Sequence, residues 1–190
     1  MDILTLDLQS LKLTDEQYYQ LCADNRDLSF ERNAQGDLLI MPPTGGETGN
    51  INAGIIAQLW IWNNQNNLGK VFDSSTGFKL PNGANRSPDA SWIALAKWNE
   101  LTEQQKERFL PLCPDFAIEL LSPSDKLAKT QSKMQEYLDN GMLLGWLINR
   151  QQKQVEIYRQ GKNVEILNTP NSLSGEEILS GFMLDLQPVW

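Results

Sequence analysis

The chain has 190 residues, of which 41% are hydrophobic and 21% charged, with a formal net charge of −8 and no histidine. The missing imidazole excludes Ser-His-Asp and Cys-His catalysis and histidine-bound zinc, and leaves carboxylates, lysine, tyrosine, serine or a hard metal ion to carry any chemistry. The acidic balance argues against broad, non-specific binding of nucleic acid, although a cation site is itself built from carboxylates.

The length fits a single domain, 1–190, able to bury its own core. Met1 to Leu13 has no basic start and no long apolar run, so no secretory signal is expected. No stretch approaches the roughly 18 apolar residues of a membrane span. Cys22 and Cys113 form neither a disulfide framework nor a zinc-type spacing, which fits a reducing, cytoplasmic setting.

In chain order, Thr14 with Gln17 three residues later reads as a helix start, after which Tyr18, Leu21 and Cys22 share a face. Leu28 to Arg32 and Asp37 to Met41 flank a turn-rich gap and read as a hairpin. Pro42 to Gly46 breaks the chain, and a helix is expected from about Glu47 to Asn64, with Ile51, Ile55, Leu59 and Trp62 on its buried face. Gly45-Gly46-Glu47-Thr48-Gly49 lacks the ending of a phosphate-binding loop and reads as a helix-entry turn.

Lys70 to Asp73 and Gly77 to Leu80 read as short extended pieces, and Pro81-Asn82-Gly83 as a turn. Ala90 to Leu95 reads as a strand, Leu101 to Phe109 as an exposed helical turn, and Phe116 to Leu121 as an apolar strand broken by Glu119. Ser122-Pro123-Ser124-Asp125 opens a helix that lasts to about Asn140, with Gly141 as its stop. Further strands are expected over Leu143 to Ile148, Gln154 to Tyr158, Val164 to Leu167 and Phe182 to Leu186. Intermixed strands and helices predict an α/β fold with a mixed sheet and helices packed on it. Trp60, Trp62, Trp92 and Trp146 sit in apolar patterns and are assigned to the core; Cys113 has no base nearby in sequence and reads as structural.

Two acids are oddly placed. Asp89 follows Pro88 at the entry to an apolar strand, and Glu119 lies inside Phe116-Ala-Ile-Glu-Leu-Leu121. A charge in a buried strand is costly unless paired or bound to metal. If the two strands are neighbours, both carboxylates converge at strand ends and the Leu120 carbonyl adds a third oxygen, a donor set that suits Mg²⁺ or Mn²⁺. On the following helix Lys126, Lys129, Lys133 and Tyr137 form one stripe, and Leu127, Met134 and Leu138 a second that buries against the sheet. Lys133 and Tyr137 then border the Glu119 strand. Taken singly these features have plain readings: a strand carboxylate in an ion pair, a Pro-Asp turn, a solvated lysine stripe.

Ser87-Pro-Asp89, Asp115-Phe-Ala-Ile-Glu119-Leu-Leu-Ser122-Pro-Ser-Asp125, Lys133-Met-Gln-Glu-Tyr137 and Gly145-Trp-Leu-Ile-Asn149 resemble the Uma2 family of the restriction-endonuclease-like PD-(D/E)XK nucleases. The likeness runs through nearly the whole chain, including Phe30-Glu31 to Gly45-Gly46-Glu47. It implies a central mixed sheet flanked by helices and Mg²⁺-dependent hydrolysis of phosphodiesters. It further implies that Asp89, Glu119 and the Leu120 carbonyl hold the ion, with Glu47 as a third acid near the site. Leu121 stands where the superfamily has its lysine, and Lys133 is the matching position. Relatives often carry a histidine near the early helix, and this chain has none.

Three functions are weighed. The first is a metal-dependent endonuclease with DNA the favoured substrate. The second is a non-catalytic member of the same fold that binds nucleic acid or a protein partner. The third is an assembly role through a homodimer, for which the apolar early helix and Trp190 leave room.

Overall fold

A computed structural model describes residues 3–8, 10–123 and 125–190. Ser124 of the expected helix opening lies outside the described residues, as do Met1, Asp2 and Gln9 of the N-terminal stretch.

The chain begins with β1 (Leu4–Leu6) and α1 (Asp15–Asp24). Thr14 starts the helix by the expected reciprocal cap. Its hydroxyl accepts the Gln17 N–H at 3.2 Å, and the Gln17 side chain accepts the Thr14 N–H at 2.9 Å. The hairpin follows as β2 (Ser29–Arg32) and β3 (Leu38–Met41), then the long α2 (Gly46–Asn66). Next come β4 (Gly69–Asp73), β5 (Phe78–Lys79), β6 (Asn85–Arg86) and β7 (Ala90–Ala94). Two short helices, α3 (Leu95–Glu100) and α4 (Glu103–Lys106), lead to β8 (Phe116–Leu121). The remainder is α5 (Leu127–Asp139), β9 (Leu144–Asn149), β10 (Gln154–Arg159), β11 (Glu165–Asn168), β12 (Ser172–Ser174), β13 (Met183–Asp185) and a 3-10 turn at Gln187–Val189.

The central sheet has six strands in the order β11-β10-β9-β8-β7-β4. It is mixed, as expected: β8 and β9 are parallel and every other neighbour is antiparallel. All residues of β8 and β9 are buried, which explains why both read as near-continuous apolar runs rather than as alternating ones. On one face lie Ile51, Ile55, Leu59 and Trp62 of α2, packed with Phe116, Ile118, Trp146 and Phe182. On the other lie Met134 and Tyr137 of α5, packed with Ala117, Leu147 and Tyr158. A parallel pair needs a crossover, and α5 supplies it, passing back over the strand that carries Glu119.

A second, antiparallel sheet of order β1-β3-β2-β6-β5 stands beside this layer. The sequence reading differs at several points. Leu95 begins α3 instead of ending the strand, and α5 begins at Leu127, two residues after Asp125. β1, β6 and β12 were not expected; at two or three residues each they are too short to carry a period. Trp62, Trp92 and Trp146 are in the core, but Trp60 is 54% exposed. Its neighbours Leu59 and Trp62 take the inward positions of α2, and Trp60 falls on the opposite side.

Candidate active site

The pairing of β7 with β8 ends at Ala90 and Ile118. Two residues farther along β8, the Leu120 N–H has run past the strand, and the Asp89 carboxylate accepts it at 2.8 Å. The other Asp89 oxygen accepts the Asn52 amide of α2 at 3.1 Å. A strand residue directs its N–H and C=O to the same side, so the Leu120 carbonyl is turned toward Asp89 as well. Asp89 thus meets the backbone of Leu120 at the C-terminal end of β8, one residue past Glu119.

Glu119 points to the α5 side, where its Oε1 accepts the Tyr137 hydroxyl at 3.0 Å and lies 2.8 Å from Lys133 Nζ. Both contacts fall on Oε1, and Oε2 has no protein partner among the described residues. Lys133 is also 2.8 Å from Glu31 Oε1. Glu31 accepts the Ser87 N–H at 2.9 Å and Arg86 at 3.0 Å, and Arg86 in turn reaches Glu136 at 2.6 Å. The second sheet therefore buttresses the site: β2 supplies Glu31 and β6 supplies Arg86.

Electrostatics follow from this crowding. Burial pushes Glu119 up to about 7 against the pull of Lys133, with Asp89 and Glu31 adding to the rise. Burial also raises Asp89, and the Leu120 N–H, Lys133 and Asn52 offset only part of it. Burial works against the charge on Glu31 too, but Lys133 and Arg86 outweigh it and hold its carboxyl below the ordinary range. Lys133 is desolvated, yet Glu119 and Glu31 keep its ammonium protonated well above the usual lysine value. When ionised, Glu31, Asp89, Glu119 and Glu136 bring four negative charges and Lys133 and Arg86 two positive ones, an excess of two negative charges.

This donor set fits a hard divalent ion. Among the described residues no three acidic or cysteine side chains form a cation cage by themselves. Two carboxylates with a backbone carbonyl instead suit an ion of the magnesium type, which keeps several waters and binds substrate oxygens. Asp89, Glu119 and the Leu120 carbonyl would hold it, and its charge would balance the excess.

Glu47 pairs at 3.0 Å with Arg150, the residue after β9, and its side chain is 79% exposed. Asn52, a turn farther along α2, is the side chain of that helix that touches Asp89. Tyr137, placed at the border of the apolar stripe, is fully buried beneath Glu119. Lys126 and Lys129 are exposed, and of the lysine stripe only Lys133 reaches the site. Glu31 and Arg86 were missed. An acid within a strand is the signal that singled out Glu119, but in Ser29-Phe-Glu-Arg32 the polar neighbours mask it. Cys113 is buried, which pushes its thiol up to about 12, and its Sγ donates to the Tyr137 carbonyl at 3.5 Å.

The family model for Uma2, described as "Putative restriction endonuclease", matches residues 15–187. No curated protein matches the chain. Among solved structures, one described as "a putative nuclease belonging to DUF820" from Anabaena variabilis ATCC 29413 superposes with a TM-score of 0.71 at 19% identity. The match covers 85% of this chain and 89% of that one, and it establishes the likeness of fold. Matched over nearly its whole length, from the Thr14-capped helix to the final turn, this chain belongs to the Uma2 family.

Proposed function

We propose that the chain is a divalent-metal-dependent endonuclease that hydrolyses nucleic-acid phosphodiesters, with DNA the favoured substrate. One observation carries the reading: Asp89 is tied to the backbone of Leu120, next to Glu119, so two carboxylates meet at one strand end beside a protonated lysine. Mg²⁺ or Mn²⁺, when bound, would polarise a phosphate oxygen and acidify the attacking water.

The chain's own groups have separable tasks. The Leu120 N–H and Asn52 fix the Asp89 carboxylate at both oxygens. Tyr137 and Lys133 fix Glu119 through Oε1 and leave Oε2 for a ligand. Lys133 is held protonated, so it is no proton acceptor; it positions the water and offsets the charge that grows on the phosphoryl oxygens. Glu31 and Arg86 act through Lys133 and are positioning residues. Two free cysteines accord with a cytoplasmic setting, and no helix among the described residues is long and apolar enough to cross a membrane.

A second reading has its own motivation. Lys133 is bound by two carboxylates at once, a pairing that also suits a non-catalytic fold that binds nucleic acid or a protein partner. Supercoiled plasmid incubated with Mn²⁺ or Mg²⁺, beside a chelator control and Asp89→Ala, separates the two. The nuclease reading expects metal-dependent nicking that the variant lacks. Nicking by Asp89→Ala at the wild-type rate would reject the assigned site. No nicking, together with no metal uptake by calorimetry, would favour the second reading.

A further inference from the structure

The outward face of α2 is unlike a solvated surface. Between Glu47 and Lys70 there is no charged residue at all, in a chain that is 21% charged with net charge −8. Asn50, Ala53, Gly54, Ala57, Trp60, Ile61 and Asn64 are all exposed. Trp60 and Ile61 keep 54% and 51% of their surface in water. These positions lie three, four and seven residues to either side of Ala57, the spacing of a seam between paired helices.

Size along the seam is self-complementary about Ala57. Reflecting the helix through that residue sets Trp60 against Gly54, Ile61 against Ala53 and Asn64 against Asn50. Each bulky side chain meets a small one, and amide meets amide. A parallel pair would instead set Trp60 on Trp60 and leave a void at Gly54. Glycine weakens a helix interior, and a Cβ added at Gly54 would meet nothing within 4 Å. The fold of one chain therefore does not require glycine there, whereas an indole arriving from outside does. Paired asparagines within an otherwise apolar seam set its register.

We infer that α2 pairs antiparallel with α2 of a second copy, about a two-fold axis at Ala57. The absence of charge selects this partner: any charged seam in so acidic a chain would repel its own copy. Asn52, which holds Asp89, lies on the same helix five residues from the axis. The pair thus carries two catalytic clusters related by the two-fold, an arrangement that addresses both strands of a duplex. That last consequence rests on the nuclease reading; the pairing itself does not.

Sedimentation equilibrium of the full chain, from low to high micromolar concentration, tests the pairing. One helix pair lies at the small end of specific interfaces, so the mass should rise from monomer to dimer across that range. Trp60→Glu should hold the mass at monomer with an unchanged far-ultraviolet circular dichroism spectrum. Ala57→Cys in a Cys22→Ser background should form a disulfide-linked dimer on mild oxidation, because that residue meets its own copy at the axis. Asn67→Cys, beyond the seam, should not. A monomer throughout, or a dimer that survives Trp60→Glu and does not cross-link at Ala57→Cys, would overturn the proposal. Neither readout depends on cleavage.

Discussion

Glu31 is the residue through which the second sheet acts on the site. It is 3% exposed and holds Lys133, Arg86 and the Ser87 N–H together. Removing one member of a buried charge network leaves the others unpaired, at a cost of several kcal/mol. Lys133 retains Glu119 and Arg86 retains Glu136, so Glu31→Ala should destabilise the chain by about 3 kcal/mol in urea unfolding. A loss below about 1 kcal/mol, the scale of an exposed pair, would show that the network is not held dry. Asp15 gives the contrasting exposed case. The hydrogen bond from Lys79, with Arg32 assisting, holds its carboxyl below the ordinary 3.8 against partial desolvation. A depressed carboxylate contributes stability above its unfolded pKa and loses it as pH falls through the folded value. Wild type should therefore exceed Asp15→Asn in melting temperature above about pH 4, with the gap closing as the pH is lowered further. A gap independent of pH would mean that packing, not charge, makes the difference.

At the scale of elements, local signals located what was local. The Thr14–Gln17 box starts α1 where its residues predict, and Thr14→Ala should cost about 1 kcal/mol in unfolding free energy. Apolar spacing gave α2 its inward face and β8 its place in the core. The same spacing misled at Trp60, because an apolar residue on a helix signals burial whether the cover is its own chain or something else. The acids Asp89 and Glu119 were legible as charges out of place, and Lys133 through its place on the helix stripe beside the Glu119 strand, with the family likeness pointing to the same residue. Glu31, Arg86 and Asn52 were not. Each reaches the site across long sequence separations, through a β2–β6 pairing only one residue wide and through the α2 crossing. No short-range pattern records such contacts. Gly69 is another position whose meaning is purely tertiary. A Cβ there would lie 2.1 Å from the Ile93 carbonyl and 2.4 Å from the Trp92 ring. Because backbone and a buried indole cannot both yield, Gly69→Ala should cost about 1–3 kcal/mol and lower the melting temperature.

At the scale of the whole molecule, the charge of −8 sets a condition on how a polyanion can be bound. Non-specific affinity for nucleic acid ordinarily comes from basic side chains that replace counterions on the phosphates. Here the site adds a local excess of negative charge, and its two cations are already paired. A phosphate approaching the unliganded cluster is repelled at short range; with a divalent ion held by Asp89 and Glu119 the same approach becomes attractive. Binding should therefore be coupled to the ion, and the coupling is reciprocal. Ca²⁺ serves as a probe that occupies oxygen sites. Fluorescence anisotropy with a short labelled duplex should show affinity higher by about tenfold or more in Ca²⁺ than in chelator, roughly 1.4 kcal/mol of coupling. Asp89→Ala should remove the difference, and in chelator it should bind no more weakly than wild type, because the variant loses the ion together with one repelling charge. Equal affinity in both buffers would place the binding surface away from the acids and turn the argument toward the non-catalytic reading.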